Sequence, residues 1–188
     1  MLVLLLVLLV IGGFVVMTYN RLIAMIEAVR NNEKQIDVQL DRRYKVFESL
    51  IEVVKKYMDY EKSTLKQVVQ LRQDSQLAKS RSDHETRRVA EDKISAVMGG
   101  LNVVMEQYPD LKASENARQL QEEIVNTENK LSFAKQAFND SIERYYALRR
   151  SFFTSMIVGF FANLKVDFVY WQLTAEKVKQ QEDYTVKL

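Results

Sequence analysis

The chain has 188 residues, and 27 Lys and Arg against 25 Asp and Glu leave a formal charge of +2, too balanced for a nucleic-acid binder that works through a basic surface. It has no cysteine, which excludes disulfides, thiolate metal sites and cysteine nucleophiles, and it has a single histidine. One proline and five glycines beside 47% hydrophobic and 28% charged residues predict an all-α chain of long helices.

Residues 1–18, MLVLLLVLLVIGGFVVMT, carry no charged side chain. At a rise of 1.5 Å per residue they make about 27 Å of helix, close to the hydrocarbon thickness of a bilayer. A cleaved signal peptide needs a basic start and a small-residue cleavage site, and this run has neither. The expectation is a retained single-pass anchor, with Tyr19 and Arg21 at the head groups. Arg21 and Arg30 follow the span and no positive side chain precedes it. The positive-inside rule then places a short N-terminus outside and the body in the cytoplasm.

Beyond the anchor, apolar residues recur at three and four: Tyr19, Leu22, Ile26, Val29, Ile36, Leu40, Phe47, Leu50 and Val54. Tyr44, Ile51 and Met58 widen the stripe, and Leu65, Val68 and Leu71 extend it. With no proline or glycine between Gly13 and Gly99, the pattern predicts one helix from Tyr19 to about Ala78, with Asn31-Asn32 as its soft spot. The Ser- and Asp-rich stretch 74–85 predicts a turn. A second helix is expected from about Glu85 to Tyr108, with Val89, Ile94, Val97, Leu101, Val104 and Met105 on one side. Gly99-Gly100 in its middle either weakens it or admits a neighbouring helix closely, and Pro109 ends it. The third helix, from about Ser114 to Arg150, has the most regular seam: Ala117, Leu120, Ile124, Thr127, Leu131, Ala134, Phe138, Ser141, Tyr145, Leu148 and Phe152. Such narrow seams predict an antiparallel, coiled-coil-like bundle over 19–173, followed by a polar tail at 174–188.

The stretch 151–173 changes character, with Phe152, Phe153, Phe160, Phe161, Phe168, Tyr170 and Trp171 crowded together. It predicts a short aromatic-rich helical segment, either a cap on one end of the bundle, an interfacial membrane helix or a contact between copies. Three successive helices climbing, returning and climbing again place this segment at the membrane-distal tip, where Phe152, Phe153, Phe160, Phe161, Phe168 and Trp171 would meet the bundle, another subunit or a partner.

Charged and polar residues inside the seams are the candidate site. Arg43 and Glu61 lie between apolar positions, Asp37 lies near them, and Thr127 with Glu128 does the same on the third helix. A seam charge costs stability unless paired, and its best-attested use is to fix register. Asp37 and Asp41 sit one turn apart, but no third or fourth ligand is in register for a metal, and Asp41 with Lys45 reads as an i, i+4 ion pair. His84 reads as a solvated turn histidine. No phosphate loop, nucleophile elbow or paired-histidine motif occurs, so no catalytic, cofactor-binding or metal-ligating residues are assigned.

The segment IDVQLDRR at 36–43, with YNRLI before it and YPDLK at 108–112, Thr127-Glu128 within LQEEIVNTENKLSFAKQAFND, and VGFF after it, resembles the LemA family from Tyr19 to about Tyr170. Two positions depart from the resemblance: Ser49 stands where relatives often carry proline, and a proline after the residue matching Phe152 or Phe153 is missing. The resemblance implies a short outside N-terminus, one span and a cytoplasmic helical domain, with no catalysis or cofactor and a role in membrane organisation. The resulting expectation is a scaffold held in the bilayer through 1–18 that assembles with itself and binds no nucleic acid. The alternative is an adaptor for a membrane protease or another membrane protein.

Overall fold

The structure, a computed structural model, describes residues 1–56, 62–106, 108–109 and 114–172, with only the backbone for 62–65 and 101–106. All regular elements among them are helical: α1 (Leu2–Val54), α2 (Lys62–Ser80), α3 (His84–Glu106), α4 (Glu115–Arg150) and α5 (Phe152–Phe160), then a 3-10 turn at Ala162–Leu164. Contacts divide the chain into two compact units, Met1–Gln39 with Leu131–Tyr170, and Leu40–Lys130 with Trp171–Leu188. Helices α1 and α4 contribute residues to both.

The second unit is an antiparallel bundle of α2, α3 and the adjoining parts of α1 and α4. Tyr44, Phe47, Leu50, Ile51 and Val54 of α1 meet Val68 of α2, Ile94 and Met98 of α3, and Ala117 and Ile124 of α4 in one buried cluster. Burying each large side chain there contributes about 1.5–3 kcal/mol. The predicted seam of α4 is buried at Ala117, Ile124, Thr127, Leu131, Phe138 and Tyr145, because its spacing of three and four keeps those residues on one side of the helix.

The expected continuous helix from Tyr19 to Ala78 is corrected: α1 ends at Val54, and α2 starts at Lys62 and folds back on α1. Arg72 of α2 bonds Asp41 at 2.9 Å and lays its guanidinium 3.7 Å from the Tyr44 ring centroid. No breaker residue marks this reversal. The last turns of α1 and the facing α2 bury the stripe that one longer helix would leave open, so packing overrides local propensity. By contrast α1 runs unbroken through Asn31-Asn32.

The turn between α2 and α3 falls inside the expected stretch and has an identifiable motif. Ser82 takes φ 57°, its N–H donates to Lys79 O and the Asp83 N–H to Ala78 O, which closes α2 as a Schellman motif. Asp83 then caps α3, accepting the Thr86 N–H at 3.0 Å and the Thr86 hydroxyl at 2.6 Å. His84 opens α3 and is half-buried, where a solvated turn residue was expected. On α3 the buried face is Arg87, Ala90, Glu91, Ile94 and Met98, rotated from the expected one so that Val89 and Val97 are only half-buried. A side chain added at Gly99 or Gly100 would meet nothing within 4 Å, so neither glycine serves a close helix approach.

In the first unit α4 runs antiparallel to α1, with Asn32 of α1 donating to Ala137 O at 3.1 Å. Leu22, Ile26, Val29 and Ile36 of α1 and Phe138, Ile142 and Tyr145 of α4 are buried. Leu2–Phe14 side chains are exposed by comparison, and an 18-residue window of α1 has a mean hydropathy of 2.8. Among the described residues this is the one helix long and apolar enough to cross a membrane, and it is compatible with an anchor.

The predicted position of the aromatic segment is overturned. Phe153 packs edge-on to Phe14 with centroids 6.3 Å apart, Phe161 to Tyr19 at 5.1 Å, and Asn163 donates to the Tyr19 hydroxyl at 2.8 Å. The segment therefore lies beside the exit of the apolar stretch instead of at a distal tip. The extra reversal after Val54 is the reason, because it turns α4 back toward the start of the chain. The helical part is also shorter than 151–173: α5 stops at Phe160, and residues 165–172 are irregular.

Candidate functional site

Arg43 is the largest fully buried side chain, at 2% exposure. Its position follows from the α1 stripe, where it falls between Ile36 or Leu40 and Phe47 at helical spacing. One guanidinium nitrogen, Nη2, pairs with Glu91 Oε2. The other, Nη1, donates to Ser95 Oγ at 2.8 Å and lies 3.5 Å from Glu128 Oε1. Glu91 is itself buried, and its second oxygen accepts the Ser75 hydroxyl at 2.6 Å. The Ser95 hydroxyl itself donates to Glu91 O at 3.2 Å. The layer thus joins α1, α2, α3 and α4 through one cation.

Around this layer lie partly exposed pairs. Arg42 reaches Glu123 across to α4 with Nε at 2.9 Å from Oε1, and Asp41 bridges Arg72 and Lys45, the latter at 2.8 Å as the i, i+4 spacing predicts. The hydrogen bond from Lys45 holds the Asp41 carboxyl below its ordinary range, with the Arg72 charge assisting. That from Arg42 does the same for Glu123, and the Thr86 hydroxyl does so for Asp83. Each carboxyl binds its proton more weakly when folded than unfolded. Its contribution is complete above the unfolded value and is lost as pH falls through the folded one. The Tm is therefore expected to hold between pH 7 and about 5 and to fall below about pH 4, the ordinary carboxylate range. A Tm unchanged down to about pH 3 would show that these pairs do not contribute.

Of the other expected seam residues, Thr127 is fully buried and its hydroxyl has no hydrogen-bond partner among the described residues, Glu128 is partly exposed, and Asp37 is half-buried. Glu61 lies outside the described residues, as does the 174–188 tail. The buried Thr127 hydroxyl gives a direct test: Thr127→Val is nearly isosteric and should raise stability by about 1 kcal/mol in chemical denaturation, whereas a loss of that size would reveal a bond made by the hydroxyl.

The sequence reading missed Glu91, Ser75 and Ser95. Glu91 was legible in principle, since it lies three residues before Ile94 and seven before Met98 on the same face. The small serines carry no pattern that distinguishes them from surface residues.

The aromatic segment forms a second arrangement, in the first unit. The Tyr145 hydroxyl donates to Leu164 O at 2.6 Å and accepts the Val166 N–H at 3.1 Å. The Tyr146 hydroxyl accepts the Phe168 N–H at 2.7 Å, and Arg149 donates to Val166 O and Asp167 Oδ1, each at 2.8 Å. Phe168 packs edge-on to Tyr145 at 5.5 Å. Three α4 side chains thereby satisfy the backbone of an irregular strap that has no ladder of its own. Of the expected contact residues, Phe152, Phe153 and Phe160 are exposed and Phe161 is 37% exposed, while Phe168 is half-buried. Trp171, in the second unit, is half-buried with Arg87 5.0 Å from its ring centroid.

Chemically, the buried layer is an ion pair with two hydroxyls. The described residues do not group three or more His, Asp or Glu in a metal-holding arrangement. The LemA family profile matches residues 32–187. The chain belongs to the LemA family. Protein LemA of Metamycoplasma hominis is 28% identical over 138 residues, covering 73% of this chain and 62% of that protein. This LemA family member thus spans under two thirds of that relative's length. Neither family membership nor the all-helical fold gives any sign of catalysis.

Proposed function

We propose that this LemA family member is a membrane-anchored helical scaffold that assembles with itself and organises the membrane surface without bond chemistry. The observation that carries this reading is the continuity of α1. The exposed apolar run and the buried core positions Leu22 to Val54 belong to one helix with no linker between them. An enzyme domain tethered for proximity has no need of such coupling, whereas a scaffold uses it to tie packing outside the bilayer to the position of the span. The reading places 1–18 across the inner membrane with the bundle, 19–173, in the cytoplasm.

Several charges along the strip at 37–45 pair within the chain. Asp41 holds Arg72 and Lys45, Arg42 holds Glu123, and Arg43 holds Glu91. The strip at 37–45 stays partly exposed despite these pairs, with the Lys45 side chain 71% exposed, so an adaptor for a membrane-protein partner is the alternative reading. Cross-linking in native membranes, followed by mass photometry after mild detergent extraction, is expected to give a defined multiple of the 22.0 kDa chain. A species of one chain in both measurements would overturn the scaffold reading.

A further inference from the structure

We propose that the turn between α4 and α5, with α5 itself, dips into the membrane interface beside the anchor, so that Phe152, Phe153 and Phe160 sit among the acyl chains. The inference rests on the reading of 1–18 as a span and adds a second membrane contact to it.

Apart from the buried Thr154 and the exposed Ser155, the side chains of helix α5 are apolar. Ile157 and Val158 are buried against protein, while Phe152, Phe153, Met156 and Phe160 on its other sides are 74%, 65%, 58% and 85% exposed. A short helix with so apolar a surface belongs in a core or against lipid. What covers the outer side follows from continuity. Phe153 packs on Phe14, which lies within the apolar run whose side chains are exposed from Leu2 onward. If Phe14 stands in hydrocarbon, the ring against it stands there too.

Depth is consistent along the segment. Phe161 and Asn163 touch Tyr19, five residues after Phe14 and so about 7.5 Å nearer the water. The tip at Phe152-Phe153 is then the deepest point and the strap emerges at the head groups. Nine residues of helix, about 13 Å, are too short to cross, so the element lies in the interface. Two of its hydroxyls are bonded within the chain, Ser151 Oγ donating to Leu148 O at 2.9 Å and Ser155 Oγ to Phe152 O at 2.8 Å, so neither requires water. Cations stand where head groups would be, with Arg150 over the Tyr146 ring, Lys165 exposed on the strap, and Arg21 and Arg144, beside Asp140, lining a groove between α1 and α4.

The test uses the full chain in phosphatidylcholine–phosphatidylglycerol liposomes containing brominated lipid. Single-tryptophan reporters are made in a Trp171→Phe background at Phe14, Phe153 and Phe160, with Phe133, exposed on α4, as the distant control. Strong quenching of Phe14→Trp, Phe153→Trp and Phe160→Trp, with Phe133→Trp unquenched, is the expected result. Quenching of Phe14→Trp alone would overturn the inference while leaving the span intact, and blue-shifted unquenched emission from Phe160→Trp would then assign the patch to a second copy. No quenching at any position would overturn the span and this inference together. Far-ultraviolet circular dichroism checks folding, and if Phe153→Trp fails it, Phe160→Trp decides, because a ring 85% exposed is replaced without disturbing the core.

Discussion

Arg43→Ala is expected to destabilise the bundle by about 3–5 kcal/mol, the usual cost of removing one partner from a buried ion pair. The loss would come mainly from Glu91, whose side chain is 8% exposed and would lose its cationic partner. For a domain of this size the Tm should fall by about 10 °C or more. Glu91→Ala should cost a similar amount, since it strands Arg43 in the same way. The double replacement Arg43→Met with Glu91→Leu should recover most of the loss, because both desolvation costs disappear together. Chemical denaturation of the four proteins in detergent gives the coupling directly. If both single variants melt like the parent, the pair is not a desolvated one. If the double variant is stable but its cross-linked assembly changes size, the pair serves register more than stability.

Tyr145→Phe is expected to cost about 2 kcal/mol, and to do so locally. The lost hydroxyl leaves Leu164 O and the Val166 N–H without their partner at a place where Leu164 is fully buried. The ring stays and keeps its edge contact with Phe168, so the core of the first unit is retained. Hydrogen exchange should accelerate by about 30-fold at residues 162–168, the rate equivalent of about 2 kcal/mol, while the α2–α3 hairpin is unaffected. Uniform acceleration across both units would show that the strap is part of one cooperative structure. No acceleration would show that Arg149 and Tyr146 hold it alone.

The helices themselves were legible because their causes are local. The seam of α4 announces itself from Ala117 to Tyr145, and the stops at the 81–83 turn and before Pro109 follow from turn and proline chemistry. The Asp41–Lys45 pair follows from spacing alone. Arg43 was visible as a charge in an apolar seam, but its partner was not. Reading the α3 stripe through Val89 and Val97 rotated the face and left Glu91 outside it. Valines and isoleucines fit either phase of a short helix, and only the neighbours choose between them.

The amino-acid sequence by itself determined the all-helical class, the apolar first stretch, the position of the α1 and α4 seams and the family. Each depends on residue type and on periodicity along one helix, which the chain carries whether or not it is folded. The tertiary structure alone decided the reversal after Val54, and with it the direction of α4 and the place of the aromatic segment beside Phe14 and Tyr19. Nothing in the residues around that reversal forbids a longer helix. The stripe on α1 is buried only when Val68 and Arg72 come back against Phe47, Tyr44 and Asp41, and that gain belongs to the pair of helices, not to either one.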